Sequence, residues 1–145
     1  MYKILGFVMA IPAMILCTIT FSPNALAPKK SKKPEPKWEE IRISWYGGQF
    51  NGRKTANGER YNMHGLTAAH VSLPFNTKME LFNPANGQRV TVRINDRGPF
   101  DRYAPGFPSN LQPHPERDVD VSRAAAGELG IIRQGVANVQ ARVVP

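Results

Sequence analysis

Hydrophobic and polar residues alternate in short segments over most of the chain beyond residue 40, a pattern typical of half-buried β-strands. The strand-like segments, including a run of small residues at 66–70, are 41–46, 66–70, 78–81, 89–95, 119–121 and 138–143. Asn86-Gly87 predicts a hairpin turn. Ser122 can cap a short helix over Arg123–Leu129 that Gly130 ends. This pattern favours a mainly all-β domain closed into a small barrel, because closure removes exposed sheet edges.

The strand over 89–95 runs directly into Asp96-Arg97-Gly98-Pro99, a sequence that must turn. Gly98 allows unusual backbone dihedrals, and Pro99 restricts the residue before it. Asp96 therefore stands where a rigid strand ends and a loop begins, a position that often serves a functional site. The competing interpretation is an Asx-turn, in which Asp96 only bonds its own backbone.

Residues 1–27 have the pattern of a secretory signal peptide. Lys3 is the only charge before an apolar run from Ile4 to Phe21, and Ala25-Leu26-Ala27 supplies a small-residue cleavage site. We therefore expect cleavage after Ala27 and export to the periplasm or cell wall. An uncleaved membrane anchor is the alternative, since the run has about the minimum spanning length.

Cys17 is the only cysteine and lies inside the apolar run. A lipoprotein signal normally places a small residue before its cysteine, whereas Leu16 stands here, so lipidation is the less favoured interpretation. Without Cys17 the exported part can form no disulfide, thiolate catalyst or Cys-ligated zinc. His64, His70 and His114 are not spaced as a helical zinc motif, and no nucleotide-binding motif is present. We expect no metal and no cofactor.

The chain is strongly basic. Its net charge is +8, and loss of Lys3 with the signal leaves +7. Residues 28–40 hold three prolines among five lysines, which predicts an extended linker before a domain over 41–145. Such a charge suggests an anionic partner, although a basic surface without a specific partner is as plausible. Export and the lack of interleaved aromatic and basic residues argue against nucleic acid.

Three groups in polar or turn positions could carry chemistry. Glu59 follows Gly58 in a polar loop, His70 ends the small-residue strand, and Asp96 ends the strand before the turn. Singly, Glu59 is more often a solvated charge and His70 a structural histidine. Together, two carboxylates and a histidine could perform acid–base catalysis, since burial and like-charge coupling raise one carboxyl pKa.

A series of motifs spans nearly all of 43–143. In order, they are Ser44–Gly47, Phe50–Tyr61, Leu66–His70, Leu73–Thr77, Asn83, Asn86-Gly87, Val92–Phe100 and Asp120–Ala126. No single motif is decisive, but the ordered series resembles the rare lipoprotein A (RlpA) family. The resemblance implies a six-stranded double-psi β-barrel with one or two short helices, shared with expansins and barwin-like proteins.

The resemblance also implies an endolytic lytic transglycosylase that cleaves peptidoglycan glycan strands, preferably strands stripped of peptides. Such an enzyme protonates the leaving glycosidic oxygen, and the sugar's own 6-hydroxyl then closes to a 1,6-anhydro end. Because the nucleophile is internal, one residue can act as acid and then as base. The family's functional positions map onto Glu59, His70 and Asp96. Asp96 is our first choice for the acid/base, with Glu59 and His70 tuning it, sharing the proton or orienting the sugar.

Substrate-binding positions are expected at Trp45, Tyr46, Thr67, Asn95 and Arg97, although core packing is as plausible for the ring of Trp45. The alternative function is a non-catalytic peptidoglycan-binding or wall-loosening module, as the likeness to expansins allows. The membrane would be a partner only through an uncleaved signal segment.

Two departures from the family stand out. Many members carry a lipobox and a C-terminal glycan-binding SPOR domain, whereas this chain ends at Pro145 after the last predicted strand, so we expect any septal targeting by another route. The segment 101–116, with four prolines, looks like an insertion close to Asp96. It could restrict the substrate, recruit other wall enzymes or be inert.

Overall fold

A computed structural model describes residues 37–106 and 108–145, so the predictions for the signal segment 1–27 and for linker residues 28–36 lie outside the described residues. The six strands are β1 (Glu39–Trp45), β2 (Thr67–His70), β3 (Lys78–Phe82), β4 (Arg89–Asp96), β5 (Val119–Val121) and β6 (Val136–Val144). A 3₁₀ turn spans Gly48–Phe50, and helix α1 spans Arg123–Glu128. The predicted strands and helix are confirmed, and β1 begins at Glu39, within the segment predicted to be linker.

The six strands close into a barrel in the order β1-β5-β2-β4-β3-β6. The pairs β1/β5 and β2/β4 are parallel, and the other four pairs are antiparallel. The expected closed, mainly β fold is therefore confirmed. Sequence periodicity could not supply this order, because it reports which face of a strand is buried but not which strand lies beside it.

The barrel interior holds the apolar side chains that the alternation predicts. The bulkiest fully buried strand residues are Ile43, Leu81, Val92, Ile94, Val119, Val121 and Val139. Burial of each such side chain stabilises the fold by about 1.5–3 kcal/mol. Helix α1 packs on the core through Ala125 and Ala126. In the described parts of the chain, no helix has the length and apolar character to cross a bilayer.

Three residues depart from the predicted alternation: Ser44 of β1 is buried at 4% exposed, Val143 of β6 is exposed at 43%, and Asn95 of β4 lies at a bulge. Asn95 was expected on the polar face with Arg93, yet it is buried, 2% exposed, next to the fully buried Ile94. The pairing with β2 shifts register at this point, from Ala68 opposite Ile94 to Ala69 opposite Asp96. Because of this bulge, Asn95 has no partner residue on β2, and Asp96 does not continue the core-facing positions Val90, Val92 and Ile94. Bulges beside functional sites commonly redirect a side chain in this way.

Candidate active site

A cavity of about 670 Å³ opens beside the ends of β1 and β4, within the size range of many ligand pockets. Its lining includes Trp45 and Tyr46 from β1 and the turn after it, Asp96 from β4 and Asp120 from β5. Polar loop residues between 47 and 55 and between 97 and 103 complete much of the wall. The cavity therefore combines aromatic rings with two carboxylates on the rigid scaffold of the barrel.

The two carboxylate oxygens of Asp96 differ in their contacts with the described residues. Its Oδ1 accepts hydrogen bonds from the backbone N–H of Arg97 and of Ala56, both at 2.8 Å. The bond from Arg97 is the local backbone contact expected of a turn residue, and Gly98 has the positive φ of 131° that the turn requires. Oδ2 of Asp96 makes no hydrogen bond or ion pair with any described residue. One oxygen thus fixes the carboxylate while the other is available to a ligand.

Asp120 lines the same cavity, although no chemical role was predicted for it beyond its place in a family motif. Ala69 of β2 pairs with Asp96 on one side and with Asp120 on the other. The two carboxylates therefore stand on strands about 10 Å apart, two strand spacings. The side chain between them is only a methyl group. The available sequence signal was an acid between two apolar strand residues, Val119 and Val121.

Asp120 is held by two donors. The Ser44 hydroxyl donates to its Oδ1, and Arg117 approaches the same oxygen at 3.5 Å while bonding the Ser44 oxygen at 2.8 Å. Ser44 pairs with Asp120 in the register of β1 and β5. Oδ2 of Asp120 has no hydrogen-bond partner among residues 37–106 and 108–145. The arrangement resembles that of Asp96, with one oxygen bound and one available.

Glu59, predicted to be catalytic, does not line the cavity. Arg93 donates two hydrogen bonds to its carboxylate, at 2.9 and 2.8 Å, and Asn95 Nδ2 donates a third at 3.1 Å. The hydrogen bonds from Arg93, followed by that from Asn95, lower the pKa of Glu59 to about 2. Glu59 is therefore ionised at neutral pH and joins its loop to the bulged end of β4 beside Asp96.

His70 also lies outside the cavity lining. Its Nδ1 accepts the backbone N–H groups of Ser72 and Leu73, at 3.1 and 3.0 Å. Burial, and then the nearby charge of Arg97, lower the pKa of His70. The ring is therefore neutral at pH 7 with its proton on Nε2, because Nδ1 serves as an acceptor. These contacts are those of a structural histidine that organises the turn after β2.

The predicted binding residues divide between the cavity and its surroundings. Trp45, Tyr46 and Arg97 line the cavity, whereas Thr67 and Asn95 do not. The Tyr46 hydroxyl is buried without a hydrogen-bond partner among the described residues. Burial, and then the neighbouring Tyr61, raise the pKa of Tyr46, so its hydroxyl remains a hydrogen-bond donor. The Thr67 hydroxyl, also buried, acts on the pKa of Tyr46 in the opposite direction, so the two hydroxyls lie close together behind the cavity-lining surface of Tyr46.

Arg97 links two of the predicted site residues. Its guanidinium donates to the carbonyl oxygens of His70 and Asp96, at 3.3 and 3.4 Å, and stacks over the Phe75 ring at 3.8 Å from the centroid. Asp96, Glu59 and His70 thus belong to one network at adjoining strand ends, but only Asp96 reaches the cavity. Within the described ranges, no three His, Cys, Asp or Glu side chains group closely enough to hold a metal ion.

The closed order of six strands is that of a double-psi β-barrel. Solved structures with this fold are similar to the chain. A Streptomyces papain inhibitor superposes with a TM-score of 0.54 at 16% identity, covering 75% of this chain and 96% of the inhibitor. An expansin of Clavibacter michiganensis, solved in complex with cellohexaose, gives 0.52 at 16% identity, covering 75% of this chain and 51% of the expansin. At such identities the likeness concerns the fold alone.

Sequence comparison identifies the family. Residues 39–141 match the family described as lytic transglycolase. The endolytic peptidoglycan transglycosylase RlpA of Neisseria meningitidis is 48% identical over 103 residues, which is 70% of this chain and 38% of the relative. The Vibrio cholerae protein of that name is 40% identical over 113 residues, 78% of this chain and 38% of the relative. The chain belongs to the RlpA family, and it spans about two fifths of the length of these curated relatives.

Proposed function

We propose that this chain is an endolytic peptidoglycan lytic transglycosylase that cuts glycan strands, with Asp96 as its acid/base. The observation that carries the proposal is a pair of carboxylates on barrel strands in one cavity, Asp96 and Asp120, each with an oxygen that no described residue binds, in a barrel of the RlpA family. The relatives that bear the transglycosylase name are longer than this chain, so the activity of the barrel itself needs its own test.

In the proposed reaction, protonated Asp96 gives its proton to the glycosidic oxygen as the bond to the anomeric carbon breaks. Positive charge develops on the sugar ring, and the carboxylate of Asp120 across the Ala69 methyl can stabilise it. Asp96 then takes the proton of the sugar's 6-hydroxyl, whose oxygen closes onto the anomeric carbon. The products are a 1,6-anhydro end and a new free end, and Asp96 is again protonated.

Glu59 and His70 are positioning residues in this scheme. Glu59 holds Arg93 and Asn95, which precede Asp96 on β4, and its low pKa excludes it as a proton donor at neutral pH. His70 orders the turn after β2 and supplies the carbonyl that Arg97 binds. Neither side chain needs to touch the sugar for the scheme to operate.

The test is digestion of purified peptide-free glycan strands, with products read by mass spectrometry. We expect 1,6-anhydro ends from the native chain and a loss of at least about a hundredfold in rate for Asp96→Asn, the usual scale of acid–base catalysis. Asp118→Asn is the matched control, because Asp118 lies outside the cavity and accepts the backbone N–H of Arg42. Full activity of Asp96→Asn would refute the mechanism.

A non-catalytic wall-binding module is the second candidate, favoured by the separation of Glu59 and His70 from the cavity lining. It predicts that the native chain sediments with purified sacculi yet releases no soluble product. Export is part of both functions. We infer cleavage after Ala27 from the pattern of residues 1–27, and an N-terminus at Pro28 on the protein recovered from the periplasm or wall tests that inference.

A further inference from the structure

The segment 101–116, described except for residue 107, contributes several residues to the cavity wall. Its two ends are joined by backbone hydrogen bonds, from Asp101 to the Gln112 carbonyl at 2.8 Å and from His114 to the Pro99 carbonyl at 3.1 Å. Arg102, Tyr103 and Leu111 of this segment line the cavity together with His114. Because these hydrogen bonds join the two ends of the segment, Arg102, Tyr103 and Leu111 are held at the mouth of the cavity.

Two of these side chains are apolar or aromatic and exposed. Tyr103 is 96% exposed and Leu111 is 52% exposed, and both border the cavity. The other large hydrophobic residues that are exposed in the described part of the chain are Leu66, Val136 and Val143, and none of them lines it. A bare tyrosine ring adds little to folding stability, so its place at the cavity mouth points to a ligand.

The mouth also carries cations that form no ion pair with the described residues, although Asp101 lines the same cavity. Lys54 and Arg102 line the cavity, and neither side chain forms a hydrogen bond or ion pair with any residue in 37–106 or 108–145. By contrast, Arg93 is paired with Glu59, and Arg117 with Asp120. A ligand carboxylate could therefore bind at the mouth without breaking an existing pair.

We propose that segment 101–116 adds a glycan subsite to the cavity, in which the Tyr103 ring packs on the apolar face of a sugar while Lys54 and Arg102 bind a carboxylate of the same strand. The inference rests on the proposed function, because it takes the ligand to be a peptidoglycan strand. On such a strand the glycan's own carboxylates are the lactyl groups, and these are free only where no peptide is attached.

The first test measures binding of soluble peptide-free glycan fragments in an Asp96→Asn background, where no cleavage interferes. Tyr103→Ala is expected to weaken binding at least about fivefold, the scale of a modest hot spot, whereas Tyr103→Phe keeps the ring and should retain the affinity. Val143→Ala is the control, because Val143 is an exposed apolar residue of β6 that pairs with Met79, and neither residue lines the cavity. Equal binding by the Tyr103→Ala and Tyr103→Phe proteins would overturn the subsite.

The second test isolates the carboxylate. Arg102→Ala should weaken binding up to about fivefold, as expected for one exposed charge pair, and amidation of the glycan's lactyl groups should abolish the difference between the two proteins. Arg133→Ala, at an exposed arginine outside the cavity, should behave as the parent. If Arg102→Ala weakens binding to native and amidated glycan equally, the carboxylate assignment is wrong.

The outcomes separate this inference from the proposed activity. Tyr103-dependent binding by a chain that makes no 1,6-anhydro product would sustain the subsite and refute the transglycosylase. An active chain whose binding is unaffected by Tyr103→Ala and Arg102→Ala would refute the subsite and leave the activity. Absence of glycan binding by the folded Asp96→Asn protein, checked by its thermal melt, would also overturn the subsite.

Discussion

Oδ1 of Asp96 accepts the N–H groups of Ala56 and Arg97, whereas Oδ2 has no partner among the described residues. A turn former and a catalytic acid can therefore be one residue, because a carboxylate has two oxygens. His70 and Glu59 differ from Asp96 in this respect. The acceptor nitrogen of His70 and the carboxylate of Glu59 are both engaged by neighbouring donors. An oxygen that is not bound by the described residues therefore distinguishes Asp96 from Glu59 and His70 as a candidate acid.

Substitution of His70 tests whether it is catalytic or structural. Asn can present an acceptor oxygen close to the position of Nδ1, whereas Ala cannot. We expect His70→Asn to keep most of the glycan-cleaving rate and His70→Ala to lower stability by about 0.5–1.5 kcal/mol, the net contribution of a hydrogen bond whose donors water can reach. Rates on peptide-free strands and urea unfolding of both variants check this. Equal loss of activity in two well-folded variants would instead make His70 catalytic.

The acid dependence of stability reports the Glu59 ion pair. Its pKa in the fold, about 2, lies below the ordinary 4.5, so the pair contributes stability above pH 4.5 that is lost as pH falls toward 2. We expect the urea midpoint of the native chain to fall across this window more steeply than that of Glu59→Gln. Glu128→Gln, at an exposed helix residue, should follow the native curve. Identical curves for all three proteins would exclude a stabilising pair.

Contacts between neighbouring strands determine two features that the sequence alone could not predict. Val90, Val92 and Ile94 predicted β4 correctly, because alternation directly reports burial. The bulge at Asn95 was not predictable, since it arises from pairing with a strand more than twenty residues away. The site role of Asp120 escaped for the same reason: its neighbours across the sheet, Ser44 and Ala69, are remote in sequence.

Ala69 offers a test of this cross-strand arrangement. Its methyl group lies between Asp96 and Asp120 in register and lines the cavity. Ala69→Leu should keep the barrel folded and reduce the cleavage rate at least about tenfold, because displacement of a bound substrate by even 1 Å is costly. Ala69→Ser, which adds one small atom, is the control. Native activity in Ala69→Leu would show that the sugar does not lie between the two carboxylates.

Gly130, just after helix α1, packs closely against the turn between β3 and β4. It has φ of +69°, and a Cβ there would lie 2.6 Å from Asn86 Nδ2 and from Gln88 Oε1. Gly87 has φ of +74° with nothing within 4 Å of the same added atom. Both Ala substitutions incur the left-handed strain of about 1–2 kcal/mol, and only Gly130→Ala adds a clash. Urea unfolding should rank Gly130→Ala as the less stable; equal losses would mean that the turn side chains move aside.

Part of the net charge is carried by residues that precede β1 in the sequence. Four lysines at 29, 30, 32 and 33 account for four of the seven net positive charges of residues 28–145. Long-range attraction to an anionic wall depends on such net charge and weakens with salt. The barrel from β1 to β6 contains the complete cavity. Wall association and glycan cleavage should therefore be separable.

A chain that starts at Pro34, with net charge lowered from +7 to +3 by loss of those four lysines, tests this separation. We expect its cleavage rate on soluble peptide-free strands to match that of the chain starting at Pro28, because every cavity residue remains. Its cosedimentation with anionic sacculi at low salt should fall, and added salt should bring both chains to the same level as the electrostatic attraction is screened. A parallel loss of activity on soluble strands would mean that the lysine segment contributes to catalysis itself. Unchanged sedimentation would place the wall-binding charge on the barrel, where Lys54 and Arg102 at the cavity mouth are the first residues to substitute.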